Sequence, residues 1–226
     1  MMPSHRSPER RNRNIGTKMS GYKKQSRFRI AYQNQKPFYA NIKIQGHCQK
    51  TVNGKIYNFI VEKLKPNYTY TCNIDEICEV LSHCPDNEIE GLNLIILRQP
   101  KQKEEILNPC WGRFIYNFDY NGVLQPAIIL EAINLNKEIK IKKSELSPSF
   151  QKELQFLQLE GNEITFDKRQ ITIKMTFQSA KNTQLYRTLL HEIGHYVYYK
   201  NGYVANDYEV KETYANNYAK RIRKTF

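Results

Sequence analysis

Apolar residues recur along this chain with two different periods, and the change between them divides it. Segment 53–64 (NGKIYNFIVEKL) reads as a helix closed by Pro66. In segment 74–84, Ile74, Ile77, Val80 and Leu81 give one helical face. From residue 92 the pattern becomes that of strands. Segment 92–98 (LNLIILR) is a short apolar run, and segments 113–120 and 123–133 flank Asn121-Gly122, a type I′ hairpin signal. Phe114, Tyr116, Phe118 and Tyr120 alternate with smaller or polar residues, as a half-buried strand requires. Pro126 has no N–H, which places its part of the second strand at an edge or a bulge. Ser147-Pro148 then opens a helix that runs to Gly161, and segments 163–166 and 171–175 form a second hairpin. Two helices follow, at roughly 183–200, closed by Asn201-Gly202, and at 207–224, opened by Asn206 with Glu209 in a capping-box position. Helices, strands and then helices packed on the sheet predict an α+β fold.

The 226 residues are 40% apolar and 25% charged, enough for a core and too apolar for wholesale disorder. No stretch approaches the ~18 uncharged apolar residues of a spanning helix, and the start, MMPSHRSPERRNRNIG, has no apolar run behind its charge. The net charge is +13, of which residues 1–29 supply +8 through nine Lys/Arg against Glu9. Residues 1–29 are therefore expected to be a disordered basic tail, acting either as a nucleic-acid arm or as a solvated leader. Residues 30–90 are expected to form a mostly helical N-terminal region and residues 91–226 the main domain. The five cysteines form no CxxC pair and read as thiols in a reducing, cytoplasmic setting.

His191-Glu192-Ile193-Gly194-His195 is an HExxH sequence within the helical pattern. Side chains four apart share a helix face, so both imidazoles can reach one metal ion while Glu192 points aside, toward a water on that ion. Leu185, Leu189 and Ile193 supply the buried stripe such a helix needs. Catalytic zinc needs a third protein ligand, and no histidine follows His195. Of the acids beyond it, Asp207 and Glu209 fall in a first helical turn, where capping and the helix dipole account for them. Glu212 lies deeper, on a stripe with Ala215, Ala219 and Ile222 whose two alanines permit close helix approach, and is the better-placed ligand. Lys220, Arg221, Arg223 and Lys224 complement the dipole at the end of the same helix.

HEIGH followed by Glu212-Thr-Tyr-Ala-Asn-Asn-Tyr-Ala219 resembles the signature of the ImmA/IrrE-type metallopeptidases and, more broadly, the gluzincins, over about residues 160–226. The resemblance implies a zincin-like metallopeptidase core over residues 91–226. In it a small antiparallel-rich sheet packs against the HExxH helix and a C-terminal helix carries the third ligand. It implies one zinc ion per chain on His191, His195 and Glu212, and Glu192 as general base to a zinc-activated water. Asn216 would then orient the first zinc histidine, and Tyr203 or Tyr208 would donate to the oxyanion. The expected activity is that of a metalloendopeptidase, a hydrolase of protein or peptide substrates. An edge strand within 127–133 or 171–175 is expected to pair with extended substrate. The alternative reading is a nucleic-acid-associated regulatory protein with a structural or degenerate metal site. No membrane partner is expected.

Overall fold

The computed structural model describes residues 42–101, 105, 110–146, 148–203 and 208–226. The basic tail, Ser147 and Asn206, on which expectations were placed, lie outside them. The chain divides after Ile42, and the second unit, Lys43–Phe226, carries every element below.

That unit is α+β. Its elements run β1 (Ile44–Val52), β2 (Lys55–Glu62), α1 (Ile74–Ser82), β3 (Leu94–Arg98), β4 (Gly112–Tyr120), β5 (Val123–Glu131), β6 (Ile139–Lys142), α2 (Pro148–Leu159), β7 (Glu163–Phe166) and β8 (Gln170–Lys174). Then come α3 (Phe177–Thr183), a π-helical segment (Gln184–Leu189), α4 (Leu190–Lys200) and α5 (Tyr208–Arg223). Strands β1-β2-β3-β5-β4 form a five-stranded sheet and β6-β8-β7 a three-stranded one. The larger sheet is mixed. β1/β2 and β4/β5 are antiparallel, whereas β2/β3 and β3/β5 are parallel.

The antiparallel-rich expectation is corrected accordingly. Parallel neighbours need a crossover of a dozen or more residues, and the stretch from β2 to β3 containing α1 supplies one with no local signature. All five residues of β3 and the last five of β5 are buried, as strands covered on both faces should be.

Segment 53–64 is also corrected, from helix to strand. Asn53 and Gly54 adopt φ of 49° and 77°, the two left-handed positions of a type I′ turn, and β2 pairs back on β1 in register through Val52↔Lys55. The apolar spacing of Ile56, Phe59 and Ile60 mimics a helix face, but β-branched and aromatic side chains dominate the segment. The described part of residues 30–90 is therefore a hairpin and one helix, and the boundary drawn near residue 90 crosses a sheet, because β2 pairs with β3.

Other expectations match. The helix expected over 74–84 stands as α1, and a capping box of Asn73 with Glu76 opens it. Asn121 and Gly122 have φ of 55° and 81°, and Pro126 sits opposite the register shift between Ile115 and Phe118. The motif helix starts earlier than position 183, because Thr176 caps it in a box with Ser179.

The principal core lies between one face of the large sheet and the helices. Tyr57, Phe59, Ile95, Leu97, Ile128 and Leu130 meet Ile77 and Leu81 of α1, Ile193 and Val197 of α4, and Tyr218 and Ile222 of α5. A smaller core joins Leu154 and Leu157 of α2 to Ile171 and Ile173 of β8. The cations ending α5 are engaged: Arg221 pairs with Glu88 at 2.6 Å, Arg223 with the buried Glu160, and Lys220 lies 5.5 Å from the Phe156 ring centre. Among the described residues no helix is long and apolar enough to cross a membrane, and the five cysteines are free.

Candidate metal centre

The π-helical segment ends one residue before α4, and it is fastened to the sheet by Gln184. That buried amide donates to the Glu131 carbonyl at 2.8 Å and the Trp111 carbonyl at 3.3 Å, and accepts from the Thr71 hydroxyl. The helix is thereby fixed against β5 before the motif begins. In α4, His191 and His195 lie one turn apart, ring centres 4.6 Å apart and planes at 87°.

α5 reaches them because Gly194 has no side chain. A Cβ there would lie 2.7 Å from Ala215 Cα and 2.9 Å from its carbonyl oxygen, so the two helices touch backbone to backbone. Gly194→Ala is expected to cost about 1–3 kcal/mol, the scale of overpacking in a close-packed contact, and to push α5 outward. Thermal denaturation of the metal-free protein checks the first effect and metal titration the second.

This approach brings the Glu212 carboxylate to both imidazoles. Oε2 lies 3.3 Å from His191 Nε2 and Oε1 3.4 Å from His195 Nε2, and all three side chains are partly buried. Their ligand atoms lie within 4.8 Å of one another, and among the described residues this is the group of His, Cys, Asp and Glu that could hold a metal ion. The two imidazoles hold the Glu212 carboxyl well below the usual carboxylate range. Burial opposes the charge on His191, but the Glu212 hydrogen bond and the two carboxylate charges outweigh it, and the imidazole is pushed up. On the far side of that ring, Nδ1 lies 3.1 Å from Asn216 Oδ1. With Nδ1–H donating to that oxygen, Nε2 is the ring nitrogen left to ligate a metal ion once it gives up the proton it shares with Glu212. Asn216→Ala is expected to weaken metal affinity by about 10–100-fold, the usual cost of losing such a partner, while the fold is kept. A competitive chelator titration measures it.

Glu192 is turned away from the three, toward the sheet. It is 9% exposed, and its Oε2 accepts the Phe114 N–H at 2.7 Å. Burial pushes its carboxyl up, against the pull of His191, His195 and the Phe114 bond. Gly112 lies beside it and makes room for Thr188 of the same helical run: a Cβ there would lie 2.6 Å from Thr188 Cγ2, and 3.4 Å, an ordinary contact, from Glu192 Cγ. β4 is thus the strand at the site, and it is an edge of the large sheet. The segments expected to offer an edge, 127–133 and 171–175, supply inner strands instead: β5 lies between β3 and β4, and β8 between β6 and β7. Edge position depends on what pairs from elsewhere in the chain, which local patterning does not carry.

The two tyrosines part company. Tyr208 hydrogen-bonds Glu212, whose charge pushes its phenol up. Tyr203 packs its ring 5.2 Å from Tyr198 and 5.8 Å from Tyr214. Glu209 is exposed in the first turn of α5 and is not in the convergent group. Sequence reasoning missed Gly112 and Phe114, whose only advance signal was the small residue heading an alternating strand. No protein-family model, curated protein or solved structure matches this chain.

Proposed function

We propose that the protein is a zinc-dependent metalloendopeptidase of the gluzincin kind, with a zincin-like core resembling the ImmA/IrrE-type enzymes. The observation that carries this reading is the convergence of His191, His195 and Glu212 beside a buried carboxylate, Glu192, that is not among them. The donor set suits zinc. Tetrahedral ligands at about 2.0–2.1 Å from the ion stand roughly 3.3 Å from one another. The two His–Glu separations, 3.3 and 3.4 Å, have that spacing already. Two imidazoles and one carboxylate also leave a fourth position for water or substrate, the pattern of catalytic sites.

Zinc held there supplies Lewis acidity toward water and toward the scissile carbonyl. The chain supplies the rest. Asn216 keeps the His191 ring turned with Nε2 inward. Glu192 takes a proton from the attacking water at a carboxylate oxygen and passes it to the leaving amine. The Phe114 N–H holds that carboxylate at the edge of the site, and burial, by raising its proton affinity, suits it to carry the proton between the two steps. The Tyr208 phenol, which hydrogen-bonds Glu212, would donate to a developing oxyanion by turning its O–H from that carboxylate. The five free thiols accord with a cytoplasmic setting.

The test is hydrolysis of an unfolded protein such as denatured casein by the full chain. Cleavage that stops on chelation and returns with stoichiometric zinc supports the proposal. Absence of cleavage by fully zinc-loaded protein refutes it.

A further inference from the structure

One turn past the convergent ligands, α4 meets β4 in an aromatic cluster that neither the ligands nor Glu192 accounts for. At about 100° per residue, α4 projects His195 roughly 40° and Glu192 roughly 100° from His191. Tyr199 projects at roughly 80°, between those two directions and one turn past His195. Its ring centre lies 4.8 Å from that of Tyr116 and 6.1 Å from that of Phe114, both on β4. Phe114 is the residue whose N–H holds Glu192. Tyr116 is two residues further along, about 6.6 Å of strand. The Tyr116 and Tyr199 rings are tilted 38° to each other and in contact, and they stand 50% and 46% exposed, a surface pair whose outer faces are open to a ligand.

We propose that Tyr116 and Tyr199 form a subsite for a large apolar side chain of the substrate, aromatic above all, about two residues from the bond presented to Glu192. The inference takes its substrate from the peptidase reading but concerns binding alone. Three physical points select a peptide side chain as occupant. Tyr116 stands on the strand that touches Glu192, so a chain lying along that edge meets the pair without turning. Tyrosine presents a rigid apolar face with few rotatable bonds, so little entropy is lost when it closes on a ligand. A third ring laid against the exposed side of this pair meets it in offset or edge-on contact, the favoured geometries of aromatic pairs. The two hydroxyls are polar handles at the ends of these rings and keep the exposed pair compatible with water.

The experiment uses the full chain carrying Glu192→Gln and loaded with zinc, so that binding is read without turnover. The probes are acetylated and amidated hexapeptides of alanine with one Phe moved through the six positions, measured by calorimetry beside the all-alanine peptide. One Phe position is expected to bind about tenfold more tightly than alanine, the scale of partly burying a Phe side chain. Adding Tyr116→Ser and Tyr199→Ser should erase that preference with zinc stoichiometry unchanged, and Tyr116→Leu with Tyr199 intact should keep part of it. No Phe position exceeding alanine, or a preference that survives the double serine variant, overturns the subsite. The preference seen beside a zinc-loaded parent protein that hydrolyses none of the peptides supports the subsite and refutes only the peptidase reading.

Discussion

Glu192→Gln is expected to keep about one metal per chain and to lower peptide hydrolysis by about 10²–10⁴-fold, the usual contribution of a positioned general base. The substitution is nearly isosteric, and the amide oxygen can still accept the Phe114 N–H that the carboxylate accepts at 2.7 Å. Packing against Gly112 is likewise preserved. What disappears is the ability to take and return a proton. Because Glu192 faces the sheet and stands outside the His191–His195–Glu212 group, metal binding should not follow activity down. Parallel measurement of kcat/KM and bound metal separates the two effects. Hydrolysis near the parent rate would mean that another group moves the proton.

Glu212→Ala should have the opposite profile, losing metal first and activity as a consequence. The carboxylate stands 3.3 and 3.4 Å from the two imidazoles, and without it the ion would retain only two nitrogen donors and solvent. Affinity should fall by more than about 100-fold, beyond the upper range for losing a partner that only orients a ligand. Glu209→Ala is the control. Glu209 lies in the first turn of the same helix, where it meets the positive end of the dipole. Its removal should cost about 1 kcal/mol or less and leave metal stoichiometry at about one. Metal lost from the Glu209 variant and kept by the Glu212 variant would place the third ligand one turn away from Glu212.

What could be foreseen of this molecule was what its chemistry fixes within a few residues. The Asn121-Gly122 hairpin, the helical face of Ile77, Val80 and Leu81 and the four-residue spacing of His191 and His195 are local, and each stands in the structure as the sequence implied. Glu212 was legible for a related reason: Ala215, three residues on, marks a face where another helix can come close, and Gly194 is the residue it meets. The first hairpin was misread although Asn53-Gly54 repeats the Asn-Gly signal, because Ile56, Phe59 and Ile60 also satisfy helical spacing. Parallel pairing of β2, β3 and β5, and the choice of β4 as an edge, depend on partners tens of residues apart. The hold of Phe114 on Glu192 spans 78 residues, and nothing in either segment announces it.

The central claim is that His191, His195 and Glu212 are one metal site, and metal content per chain tests it most directly. Purified full-length protein and its His191→Ala variant would be equilibrated with zinc, dialysed together and analysed by mass spectrometry of the metal. The account predicts one zinc per parent chain and a zinc content near zero in the variant. No zinc in either protein, or the same zinc content in both, would contradict it.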